Sequence, residues 1–206
     1  SKKVCSASEG KNGFRVRAQT KAKRTTTMKI IETRDLTKRF GQLLAVNHLS
    51  LTIDEGEIFG LLGPNGAGKT TTIKMLTTLL SPTSGQAIVA GLDIRHQAAR
   101  VRKVIGYVPQ LISADSTLTG YENLMIFAKL YDVPRREREN RVSQALHYMG
   151  LEEAADKLVR HYSGGMIRRL EIAQSMLHHP RVLFLDEPTI GLDPAARRTV
   201  WEHIIN

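Results

Sequence analysis

Gly63-Pro64-Asn65-Gly66-Ala67-Gly68-Lys69-Thr70 places three glycines, a lysine and a hydroxyl in one short run. Glycine lets successive backbone N–H groups turn to one side, where they can surround the oxygens of a phosphate. Lys69 adds a cation with the reach to offset β- and γ-phosphate charge. The hydroxyl of Thr70 is a hard oxygen ligand of the kind Mg²⁺ prefers, and Thr71 follows as a further contact. A second group lies far downstream. Leu183-Phe184-Leu185 runs into Asp186-Glu187, two adjacent carboxylates at the end of an apolar stretch. There Asp186 can hold Mg²⁺ through water, and Glu187 can polarise a water for attack on a γ-phosphate. Alone the acidic pair is a weak signal; with the phosphate loop upstream it is a strong one.

Such groups act only if a fold holds them. Ile58-Phe59-Gly60-Leu61-Leu62 before the loop is continuously apolar, as expected of a strand buried on both faces. A helix is expected from about Lys69 to Leu80, stopping before Ser81-Pro82. Val182–Leu185 reads as a second fully buried strand, with the acids where it emerges at a ligand-facing edge. Alternation over Ile30–Ile53 predicts half-buried strands, with turns at Phe40-Gly41 and Asp54-Glu55-Gly56. Short strands are expected at 87–90 and 104–108, and a helix at 95–103. Thr119-Gly120-Tyr121-Glu122 fits a capping box, ahead of an apolar stripe at Leu124, Phe127, Ala128 and Tyr131. A further helix spans Arg135–Met149 and ends at Gly150. Helices are also expected at 168–177 and from Pro194 onward. Buried strands separated by helices imply a parallel α/β core.

The bulk numbers narrow the class. With 206 residues and 41% hydrophobic content, the chain can build one domain and a small second lobe. No apolar run reaches the roughly 18–20 residues of a membrane-spanning helix, so in a membrane role another polypeptide or a missing segment would do the spanning. Cys5 is the only cysteine, which rules out an intrachain disulfide and fits a reducing compartment. The net charge is +10, of which +7 sits in residues 1–27 and +3 in the rest. That segment is polar and without apolar periodicity, and reads as a disordered basic tail. Met28 opens the patterned sequence, so the tail is either a non-native extension or a basic arm for anionic lipid or nucleic acid.

Further motifs carry a resemblance. Tyr162-Ser163-Gly164-Gly165-Met166 resembles the Leu-Ser-Gly-Gly-Gln signature of ABC-transporter nucleotide-binding domains. Gln110, after Gly106-Tyr107-Val108-Pro109, matches that family's Q-loop. Gly191-Leu192-Asp193-Pro194 matches its D-loop, and Phe40 stands where the family places an adenine-stacking ring. The resemblance runs from residue 28 to about 200. It implies a P-loop NTPase (RecA-like) α/β core with an N-terminal antiparallel β subdomain and an inserted α-helical subdomain. The core would comprise 28–110 and 167–206, and the helical subdomain 111–166. ATP and Mg²⁺ are the implied cofactors, with Mg²⁺ at Thr70, Gln110 and Asp186. Gly63, Pro64, Asn65, Gly66, Ala67, Gly68, Lys69, Thr70 and Thr71 would hold the phosphates. Glu187, Gln110 and Lys69 would act in catalysis. Ser163, Gly164, Gly165 and Asp193 would complete the ATP site of a second subunit packed head to tail.

Tyr162 and Met166 depart from the usual Leu and Gln. With Arg168-Arg169 they resemble the daunorubicin-resistance type of drug exporter ATPase. The family's switch histidine lies farther beyond the catalytic glutamate than the 19 residues that follow Glu187, so the C-terminal strands are expected to be missing. His203 is too near Glu187 for that role and reads as a surface histidine. The resemblance implies an ATPase on the cytoplasmic face of the cell membrane. It would power export of a drug or lipid-like substrate through an integral membrane permease, with no specific nucleic acid partner. The alternatives are a soluble ABC-type ATPase acting on ribosomes or nucleic acid, and a structural ATP-binding module. Lys69 and Ser163 are 94 residues apart with no heptad run between them, and the chain carries one cassette; both favour the transporter type.

Overall fold

The computed structural model describes residues 4–7, 16–17 and 28–188, with isolated positions 192, 194, 198, 200 and 202 beyond them. The chain divides into two compact units, residues 1–102 and 103–206. In the first unit, β1 (Val4–Ala7) and β2 (Val16–Arg17) fall within the segment expected to be a disordered tail. Two long strands follow, β3 (Lys29–Phe40) and β4 (Leu43–Asp54), then β5 (Ile58–Phe59), α1 (Lys69–Leu76), β6 (Ser84–Val89) and β7 (Leu92–Asp93).

The β3–β4 hairpin turns at Gly41-Gln42. Gly41 has φ 55°, a left-handed value that glycine adopts without a Cβ penalty. The four-stranded sheet runs β4-β3-β6-β7 and is antiparallel throughout, as the alternating pattern implies. Its inward positions include Ile31, Leu36, Val46 and Val89, all nearly or wholly inaccessible. A separate sheet pairs β5 with β1 in parallel, in register Val4↔Ile58 and Cys5↔Phe59. This pairing covers an edge of the strand that leads to the phosphate loop. Backbone groups on an open edge accept any extended segment with a compatible pattern.

The run over 58–62 is shorter and less buried than its composition implies. Only Ile58–Phe59 pair as strand, both half-buried, and Leu62 is exposed. Helix α1 also stops early, at Leu76 instead of Leu80. Thr77 and Thr78 are β-branched, and Thr78 turns to φ 64°, which no helix continues.

The second unit contains β8 (Ile105–Val108), α3 (Gly120–Leu130), α4 (Arg135–Tyr148), α5 (Gly164–Met176) and β9 (Val182–Leu185); the short α2 (Ala98–Val104) leads into it. Helix α2 starts later than the expected residue 95. The Asp93 carboxylate accepts the amides of Arg95 and His96 and holds them in a side-chain-closed turn. Strands β8 and β9 pair in parallel, Ile105↔Val182 through Val108↔Leu185. Among the described residues β9 has one neighbour, so Val182, Leu183 and Leu185 are only half-buried.

The helical core follows the expected stripes. Leu124 and Ala128 of α3, Val142 and Leu146 of α4, and Leu170 and Ile172 of α5 form one buried cluster. Burial of each large aliphatic side chain contributes about 1.5–3 kcal/mol. Both predicted helix ends are present. Thr119 and Glu122 make the reciprocal bonds of a capping box. Gly150, at φ 57°, donates to His147 O at 3.0 Å, and Leu151 donates to Leu146 O at 2.9 Å, a Schellman ending.

Candidate functional site

The first unit holds the phosphate loop. Gly66 and Gly68 both adopt left-handed backbone, at φ 82° and 83°. A Cβ on Gly68 would lie 2.3 Å from the Ala45 carbonyl oxygen of β4, so no other residue fits without a shift in the backbone. Gly66 has open space around it, and only its conformation selects glycine. The loop is closed by an Ala67 N–H bond to Pro64 O at 3.2 Å. Helix α1 starts at Lys69 with no acidic residue in its first turn, so no side-chain charge there opposes the positive end of the helix. The Lys69 ammonium folds back over the loop and donates to Gly63 O at 2.7 Å and Pro64 O at 2.9 Å. It therefore lies beside the amides a phosphate would meet. The cradle that a Cβ would fill, the helix start and the lysine fit a nucleotide polyphosphate.

In the same unit Phe40 ends β3 with 46% of its surface exposed, enough to leave a ring face accessible. Lys38, two residues earlier on the same strand face, sets its ammonium 5.1 Å from the ring centroid. It also donates to Ser81 O at 2.7 Å. Lys38 was not among the sequence candidates. Its i, i+2 spacing from an exposed aromatic was the available signal.

The second unit gathers the other predicted groups. The Gln110 side-chain amide donates to the Glu187 carboxylate at 3.3 Å, across 77 residues of sequence. Glu187 has φ 51°, a strained value for a residue with a Cβ, and such outliers recur at functional positions. Asp186 is 2% exposed, and its amide donates to Val108 O at 3.0 Å, continuing the β8–β9 ladder. Burial pushes the Tyr107 hydroxyl above its ordinary range, and the Asp186 charge adds to that shift. Asp186 and Gln110 in this unit, and Thr70 in the first, each carry an oxygen donor of the kind Mg²⁺ selects.

Ser163 caps α5 by accepting the Met166 amide at 3.2 Å, so Gly164 and Gly165 form the helix's first turn. The helix thus begins four residues before the expected 168. The signature tyrosine also has a structural role. Tyr162 is 7% exposed and donates to Ala154 O at 2.6 Å, while its hydroxyl occupies the space a Cβ on Gly120 would need. Asp193 and His203 lie outside the described residues, as does most of the helix expected from Pro194. The sequence marks Arg168 only as part of the subtype resemblance and does not single out Glu171; both are buried, with Arg168 bonded to Gln110 O and Glu171 to Arg168. Their i, i+3 spacing with opposite charge was visible, but their burial was not.

Residues 46–190 match the family model described as ABC transporter. Daunorubicin resistance ATP-binding protein DrrA2 of Streptomyces coeruleorubidus is 47% identical over 167 residues, covering 81% of this chain and 52% of that protein. The probable multidrug ABC transporter ATP-binding protein YbhF of Escherichia coli (strain K12) is 43% identical over 175 residues, covering 85% of this chain and 30% of that protein. This chain thus spans about half or less of the length of these relatives. Among solved structures, cbiO1 from Clostridium perfringens, part of the ABC transporter complex cbiONQ, superposes with a TM-score of 0.78 at 30% identity. That match covers 86% of this chain and 72% of the other. Relatives named for daunorubicin resistance agree with the subtype expected from Tyr162–Met166. A family match over most of the chain, joined to structural similarity at this level, makes the chain a member of the ABC transporter family with that family's nucleotide-binding fold.

Proposed function

We propose that this chain binds Mg·ATP and serves as the ATP-hydrolysing subunit of an exporter whose membrane-spanning part is a separate protein. The observation that carries this reading is the phosphate loop: Gly66 and Gly68 in left-handed conformation, leading into α1 with Lys69 folded over the loop. Lys69 and the loop amides hold the β- and γ-phosphates, and Phe40 stacks on the base. Thr70, Asp186 and Gln110 would hold Mg²⁺, which would offset charge on the phosphate oxygens. Glu187 takes a proton from the attacking water, and Gln110 orients Glu187 through the bond they already share.

In this reading residues 28–110 and 167–206 form the ATP-binding core and residues 111–166 the helical subdomain. Ser163, Gly164, Gly165 and Asp193 face the nucleotide of a second, head-to-tail copy. The assembly lies on the cytoplasmic face of the cell membrane, against an integral permease. Its substrate is a drug or lipid-like molecule, in keeping with relatives named for drug resistance and Nod factor export. No helix among the described residues is long and apolar enough to cross a membrane.

Equilibrium binding of Mg·ATP to the chain and to Lys69→Ala tests the reading. Removing the ammonium is expected to weaken binding by about tenfold or more, the worth of a charge-assisted contact. Equal affinity in the two would contradict the assignment.

A further inference from the structure

Arg168 and Glu171 are 6% and 2% exposed, three residues apart on α5. Arg168 Nη1 donates to Glu171 Oε2 at 2.9 Å and to Pro109 O at 2.8 Å. Its Nη2 donates to Gln110 O at 3.2 Å. Glu171 Oε1 in turn accepts the Ser113 hydroxyl at 3.0 Å and the Ser113 amide. Residues 109–113 are therefore held to α5 at both ends by one ion pair. Within the segment Leu111 and Ile112 are 81% and 65% exposed, so their side chains add little packing.

A buried ion pair is a poor device for stability alone. Desolvation of both ions offsets their attraction, and apolar residues of similar volume often serve as well or better. What the pair supplies, and an apolar pair cannot, is a fixed orientation of particular carbonyl and amide groups. Here those groups flank Gln110, whose side chain meets Glu187.

We infer that Arg168 and Glu171 are positioning residues: they fix the Gln110 segment to α5, the helix that begins at Ser163-Gly164-Gly165, and so set the Gln110–Glu187 contact. A shift at the Ser163 end of α5 is carried through the Arg168 guanidinium to Gln110. The link to turnover rests on the proposed ATPase reading; the clamp itself does not.

The test uses the full chain with two variants. Replacing both charges at once, R168M/E171M, avoids leaving an unpaired buried ion. Its melting temperature is expected to stay close to the parent's, while amide exchange over 109–113 speeds up by about tenfold or more. ATP affinity is expected to stay within about twofold while kcat falls about tenfold or more. The second variant, Arg168→Lys, keeps the charge beside Glu171 but replaces the planar fork with a compact ammonium. It is expected to show the same separation of kcat from affinity if the double variant does not fold. Parental exchange over 109–113 in a folded variant would overturn the clamp, and parental kcat with faster exchange would overturn the positioning role. Failure of the parent chain to bind ATP would instead count against the proposed function, and exchange over 109–113 would still decide the clamp.

Discussion

Two glycines two positions apart can be required for different reasons, and Gly66 and Gly68 separate them. Both have φ near 80°, but only Gly68 faces a backbone oxygen at 2.3 Å from its would-be Cβ. Gly66→Ala is expected to cost about 1 kcal/mol from left-handed strain alone. Gly68→Ala adds displacement of β4 or of the loop, and is expected to cost about 1–3 kcal/mol more and to weaken nucleotide binding. Denaturant unfolding of the two variants, beside ATP titration, measures both quantities. The loop was legible in the sequence because its geometry is local: glycine positions dictate φ, and Lys69 follows the last of them directly. The pairing of Gln110 with Glu187 was not readable from spacing, since 77 residues separate them. Family resemblance placed both near the chemistry, but only the structure brings them to contact distance.

At the scale of elements, capping decided where helices start and stop. Thr119 accepts the Glu122 amide at 3.1 Å, and Glu122 accepts the Thr119 amide at 2.8 Å. Thr119→Ala is expected to lower stability by about 1 kcal/mol, read from the shift in denaturant midpoint. The Thr119 amide and hydroxyl hold the Glu122 carboxyl below its ordinary range. A depressed carboxyl stabilises the fold above its unfolded pKa, and that contribution is lost as pH falls through the folded value. The effect of Thr119→Ala should therefore shrink in acid. The capping box and the Gly150 ending could be read in advance because each is encoded within a few residues. The early stop of α1 at Leu76 could not, because helical periodicity continues to Leu80 and only the turn at Thr78 breaks it. Strand burial was overread at 58–62 and 182–185 for a related reason. An apolar run does not say how many neighbours its strand will find.

For the molecule as a whole, one junction in the second unit ties several elements together. His178 stacks on Tyr131 at 3.9 Å between ring centroids and meets Ile105 O at 2.9 Å through Nε2. Burial lowers its pKa; the bond to Ile105 opposes this, and the charges of His179 and Arg141 add to the lowering. The folded state therefore disfavours the protonated ring. As pH falls below the ordinary histidine value of about 6.5, the unfolded chain takes up a proton that the folded chain resists, so stability falls. Melting temperature should drop between about pH 7.5 and about pH 5.5, and drop less in His178→Gln. The His178 junction had no sequence signal beyond residue type, because it is assembled from separate elements; the Arg168–Glu171 pair showed its i, i+3 spacing on one helix, but not its burial or its bonds to residues 109–113.

The central claim, ATP hydrolysis with Glu187 as the base, is tested most directly by the ATP that Glu187→Gln retains. The variant keeps the side chain's shape and its bonding to Gln110 but has no carboxylate to accept a proton. After incubation with Mg·ATP, protein-bound nucleotide is separated and the ATP-to-ADP ratio measured. Predominantly ATP on the variant and ADP on the parent is the predicted result. An equal ratio in the two, with equal turnover, would contradict the account.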